Sequence, residues 1–142
     1  MSDSTVEILL VEDHAGDVRL TQRALSRLSF KARLHVAVNG HEAMEFLHQR
    51  GKFAGAPRPD LILLDLNMPL MDGRAVLHEL DGHATLGTIP VVVLTTSGAA
   101  SDIRDSYQLC TNSYHVKPNT FGEFVTTLNQ ILTYWLSEAR TP

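Results

Sequence analysis

Five short apolar runs, at 6–11, 32–37, 61–64, 91–94 and 113–116, recur along the chain, and a longer stretch separates each from the next. Those at 6–11, 61–64 and 91–94 are rich in Val, Leu and Ile and are the length of buried strands, 32–37 alternates, and 113–116 is a short fifth strand. The stretches between them carry apolar residues at helical spacing: Val18, Leu20, Ala24, Leu25 and Leu28 in the first (17–28), and Ala43, Met44 and Leu47 after Asn39-Gly40 in the second. Further helices are predicted over 73–80, over 100–109, and from a Thr120 cap to about Ser137. Strict strand–helix alternation requires a parallel sheet, because parallel neighbours are joined by right-handed crossovers that place helices on both faces. Among doubly wound arrangements, the five-stranded order 2-1-3-4-5 fits this element count.

That order decides which strand ends meet. Strands one and three become neighbours at about 4.8 Å, so Glu12 and Asp13 at one exit converge on Asp65 at the other. Ligand chemistry in open α/β sheets sits at these carboxyl ends. Three crowded carboxylates repel one another, and a hard divalent cation resolves the conflict. Mg²⁺ suits two or three acids plus a backbone carbonyl from the turn after Asp65. Strand four delivers Thr95 at its exit, and strand five carries Lys117 within reach of Asp65 across about 10 Å. A carboxylate surrounded by an ammonium, a hydroxyl and a metal is equipped to take a phosphoryl group as a nucleophile.

The segments "ILLVEDHAGD", "DLILLDLNMPLMDG", "VVVLTTS" and "YHVKP" occur in that order. Together they resemble the motifs of response-regulator receiver domains, a CheY-like, flavodoxin-like α/β fold. The resemblance implies Glu12 and Asp13 as metal-side acids, Asp65 as phosphoacceptor and Asn67 as donor of a backbone carbonyl to the metal. It also implies Thr95 as the hydroxyl that follows the phosphoryl group, Lys117 as its counter-ion, Tyr114 as a coupled switch aromatic and a cis Lys117–Pro118 bond. "EDHAGDVRLTQRAL", the long loop before "RPDLILLDLN", "SYQLCTNSYHVKP" and a late "YWL" are similar to the small regulators paired with bacterial and cyanobacterial phytochromes. The expected partner is therefore a sensor histidine kinase of phytochrome type, with an unknown downstream protein and no output domain within residues 1–142. The alternative role is a phosphorelay intermediate or phosphate sink. Two positions depart from the family pattern: Cys110-Thr111 stand where Gly is frequent, and His14 stands where the phytochrome partners tend to have Asn.

Several other readings fall away. With 12 basic and 16 acidic side chains and a formal charge of −4, the chain has no basic stripe for nucleic acid. A lone Cys110, no signal-like start and no long apolar run lead to the expectation of a cytoplasmic protein away from membranes. A phosphatase with an aspartyl nucleophile would need a second acid two residues on, where this chain has Asn67, so turnover of outside substrates is not expected. No Gly-rich phosphate loop follows strand one, which removes a nucleotide-binding reading. The histidines at 35, 41, 48, 78, 83 and 115 lack ligand spacing and are assigned no role. The apolar stripe Phe121, Phe124, Val125, Leu128, Ile131, Leu132 and Trp135 is core, with an overhang near Tyr134 and Trp135. That overhang and the loop "GKFAGAPRP" are expected to form a homodimer surface.

Overall fold

The computed structural model describes residues 5–27, 31–65, 73–95, 113–118 and 120–137. Strands β1 (Val6–Val11), β2 (Ala32–Ala37), β3 (Leu61–Leu64), β4 (Val91–Thr95) and β5 (Ser113–Val116) form one sheet in the order β2-β1-β3-β4-β5. Every neighbouring pair is parallel. The described helices are α1 (Ala15–Leu25), α2 (Gly40–Leu47), α3 (Gly73–Leu80) and α4 (Phe121–Leu132). The helix expected over 100–109, with Cys110 after it, lies outside the described residues.

Alternation along the strands sorts their side chains into two cores. Leu9, Val11, Ile62, Leu64, Val91 and Val93 face the buried residues of α2 and α3. Ile8, Leu10, Leu61, Leu63, Val92 and Leu94 face those of α1 and α4. Burial on both faces explains why β3 and Val91–Leu94 of β4 are continuously apolar, whereas the edge strand β2 is only partly buried and alternates with Arg33 and His35.

Helix ends differ from the periodicity where capping intervenes. α1 begins at Ala15, ahead of the expected Asp17, because the His14 Nδ1 accepts the Asp17 N–H at 3.2 Å and serves as the N-cap. It ends at Leu25, short of Leu28, where the Ser26 hydroxyl donates to the Arg23 carbonyl at 2.6 Å. Asn39 caps α2 by accepting the Glu42 N–H at 2.8 Å, and Thr120 caps α4 by accepting the Glu123 N–H at 3.2 Å. α-Helical bonding in α4 stops at Leu132 and gives way to a wider π turn over Thr133–Ser137, where a straight helix was expected.

The overhang and the loop expected to form a homodimer surface pack on different flanks, and the expected cis Lys117–Pro118 bond is corrected. Trp135 packs against the α1/α4 core, whereas Phe53 and Ala56 of the "GKFAGAPRP" loop pack against the α2/α3 core. The sheet therefore stands between the two parts of the expected self-association surface, and Tyr134, 60% exposed, projects alone beside Trp135. The Lys117–Pro118 bond is trans, as no described peptide bond is cis. Trans is the lower-energy isomer of an X-Pro bond by roughly 0.5–1 kcal/mol.

Candidate functional site: carboxylates and a lysine at the strand exits

The β1–β3 register pairs Val11 with Leu64, which brings the next residues, Glu12 and Asp65, side by side. Main-chain bonds continue the ladder past the strands: the Asp65 N–H donates to the Val11 carbonyl at 3.1 Å, and the Glu12 N–H donates to the Ala37 carbonyl at 2.9 Å. Both acids are buried, at 2% exposure for Glu12 and 7% for Asp65, while Asp13 is exposed. Oxygens of Glu12, Asp13 and Asp65 lie within 4.8 Å of one another. Three hard oxygen donors from three carboxylates, one of them open to solvent, form a set that fits a hard divalent cation.

Lys117 follows β5 directly and its side chain is 11% exposed. Its Nζ donates to Glu12 Oε1 at 2.7 Å and to Asp17 Oδ2 at 2.7 Å, and it stands 3.6 Å from Asp65 Oδ2. The lysine thus reaches the Asp65 region as expected, but its hydrogen bonds go to two other acids. Asp17 is a member of this cluster that sequence reasoning missed. Its signal is weak, since an acid in the first turn of a helix is ordinarily explained by the helix dipole.

Burial pushes the Glu12 carboxyl up to about 7, opposed by the Lys117 hydrogen bond and assisted by the Asp65 charge. Burial alone would lower Lys117, yet hydrogen bonds to Asp17 and Glu12 and the surrounding negative charge raise it. These two shifts pull against each other across one contact, because a protonated Glu12 loses much of its hold on the ammonium. Asp17 resolves the tension: Lys117 keeps an anionic partner in either state of Glu12, so the ammonium stays charged.

Thr95 ends β4, one residue beyond the expected limit, paired with Val116, and Tyr114 pairs with Val93; both are placed here by backbone alone. Asn67 lies outside the described residues. His14 sits beside the acids as a cap, with its backbone N–H donating to Glu12 Oε2 at 3.3 Å. Among the histidines assigned no role, His35 bonds Glu7 at 2.7 Å and His83 accepts the Leu86 N–H at 3.1 Å.

A doubly wound 2-1-3-4-5 sheet with paired acids just after β1, a further acid just after β3 and a lysine after β5 defines a receiver-type signalling domain. The chain belongs to the response regulator receiver domain family, whose sequence model matches residues 8–129. It is similar to response regulator Rcp1 of Synechocystis sp., with 42% identity over 95% of this chain and 92% of the relative. It is also similar to the probable methanogenesis regulatory protein FilR2 of Methanothrix harundinacea, with 40% identity over 95% of this chain and 86% of the relative. Among solved structures, the phosphorylated cyanobacterial phytochrome response regulator RcpA superimposes with a TM-score of 0.91 at 44% identity, covering 98% of this chain and 99% of that one. The Mn²⁺-bound form of Rcp1 superimposes with a TM-score of 0.88 at 42% identity, covering 96% and 99%. No described helix is long and apolar enough to cross a membrane.

Proposed function

We propose that this protein is a two-component response regulator that accepts a phosphoryl group on Asp65 from a sensor histidine kinase. The observation that carries the reading is the buried Asp65 carboxylate at the β3 exit, sharing a 4.8 Å cluster with Glu12 and Asp13 and facing the Lys117 ammonium at 3.6 Å. In the transfer, a carboxylate oxygen of Asp65 attacks phosphorus, the phosphorus–nitrogen bond of a phosphohistidine breaks, and the imidazole leaves with the bond's electron pair and takes up a proton. Lys117 neutralises charge on the incoming group. Glu12, Asp13 and Asp65, with the backbone carbonyl of Asn67, would hold Mg²⁺, which supplies further charge neutralisation when bound. Thr95 and Tyr114 are the residues through which the modified Asp65 changes the shape of the β4–β5 surface.

The likeness to Rcp1 and to RcpA, a phytochrome response regulator, supports a phytochrome-type kinase as phosphodonor. In this reading the chain is a cytoplasmic phosphoacceptor without turnover of outside substrates, acts as a single receiver unit, and passes its signal to another protein or to a second copy of itself.

Incubation with acetyl phosphate and Mg²⁺ followed by intact mass measurement tests the assignment. Wild type gains one phosphoryl mass and Asp65→Asn does not. A gain that survives the substitution overturns Asp65 as the acceptor. Phosphotransfer from purified phytochrome kinases tests the partner, and failure with every light-sensing kinase of the same cell removes it.

A further inference from the structure

Lys117 has three N–H donors and three carboxylates around it, but it bonds only two of them. The pair at 2.7 Å are Glu12 and Asp17, while Asp65, at 3.6 Å, stands outside hydrogen-bond distance. The two bonded acids are not equivalent. Glu12 belongs to the oxygen cluster suited to a cation, and Asp17 lies outside it.

Asp17 is also held firmly. It occupies the first turn of α1, its N–H donates to the His14 Nδ1 at 3.2 Å, and its carbonyl accepts from the buried Thr21 hydroxyl at 2.8 Å. α1 in turn packs against α4 through the second core. The carboxylate therefore presents a fixed anion to Lys117, half-buried at 27% exposure, where screening by water is incomplete.

We propose that Asp17 is a positioning residue that competes with the phosphoryl group on Asp65 for the Lys117 ammonium, and so sets how strongly an anion at Asp65 is held. The proposal rests on the phosphoacceptor reading given above. An ammonium already bonded to a carboxylate must give up that bond to serve another anion, and the free energy of the lost contact is subtracted from the new one. With Asp17 neutral, the competition disappears. One charge-assisted bond of this kind corresponds to roughly a tenfold change in the apparent affinity of an anion at Asp65.

The test is a beryllofluoride titration in saturating Mg²⁺, together with a Mg²⁺ titration alone, on wild type, Asp17→Asn, Lys117→Gln and the double variant. Asp17→Asn keeps the main-chain bonds to His14 and Thr21. It is expected to bind beryllofluoride roughly tenfold more tightly and Mg²⁺ alone about twofold more weakly, since a neighbouring negative charge has gone. Opposite signs for the two ligands distinguish positioning from a structural role, which would weaken both. In the Lys117→Gln background the gain vanishes, because the effect runs through the ammonium. Asp17→Ser, neutral and suited to a first helical turn, gives the same gain and serves if the Asn variant folds poorly. Unchanged or weaker beryllofluoride binding in the neutral variants, or a gain that persists without Lys117, overturns the proposal alone. Wild-type protein that takes no beryllofluoride overturns the phosphoacceptor reading and this proposal with it.

Discussion

Lys117 bonds Glu12 and Asp17 and stands beside Asp65, and its removal takes the shared ammonium away from the buried Glu12. Lys117→Ala is expected to lower stability by roughly 2–3 kcal/mol in metal-free buffer, less than a fully isolated pair would lose, because Glu12 takes up a proton more readily. Added Mg²⁺ should recover much of that loss, and urea unfolding with and without Mg²⁺ measures both. His115 titrates in the opposite sense to a paired group. Burial lowers its pKa in the folded state, so the unfolded chain binds the proton first. Stability from this residue is complete above pH 6.5 and falls as pH drops through that value. It levels off once the folded-state imidazole is protonated too. Removing it with His115→Gln should flatten that part of the pH profile, read by denaturant midpoints between about pH 8 and pH 5. At this scale the sequence was informative wherever chemistry coincided with a strand exit. Glu12, Asp13, Asp65 and Lys117 are all visible that way. Asp17 was not, because its role appears only when a lysine 100 residues later in the chain is brought beside it. His14 was also missed as a cap, since imidazole is an uncommon substitute for the usual cap oxygens.

At the scale of elements, four of the five strands keep the limits read from their apolar runs, and β4 extends by one residue. Strand residues buried on both faces leave a plain signal, whereas helix ends depend on single side-chain bonds that periodicity does not register. The π turn after Leu132 is of the same kind, as nothing in the stripe from Phe121 to Trp135 marks where α-helical bonding stops. The turn between α3 and β4 offers a sharp test of packing. A Cβ on Gly87 would lie 2.8 Å from the Leu80 carbonyl oxygen, so backbone must shift to admit it. Gly87→Ala is expected to cost about 1–3 kcal/mol. Thermal unfolding monitored by circular dichroism checks it, and a neutral result would mean that the turn after α3 relaxes freely.

For the whole molecule, a cation that binds the folded site and not the unfolded chain adds stability in proportion to the logarithm of its concentration. At a hundred times its dissociation constant, Mg²⁺ should contribute about 2.7 kcal/mol. For a domain of this size that is a rise in Tm of roughly 5–10 °C. The shift should be lost in Asp13→Asn, which removes the exposed carboxylate of the three-acid cluster, and a calorimetric scan series in Mg²⁺ reads it directly. The division of the interior into two cores has a different consequence. Apart from the strands themselves, the residues of α2 and α3 and those of α1 and α4 never share a layer. Repacking on one flank reaches the other through the backbone of the sheet. The sheet is in that sense a bulkhead: one side can be refitted to suit a new neighbour while the acids at its rim keep their alignment.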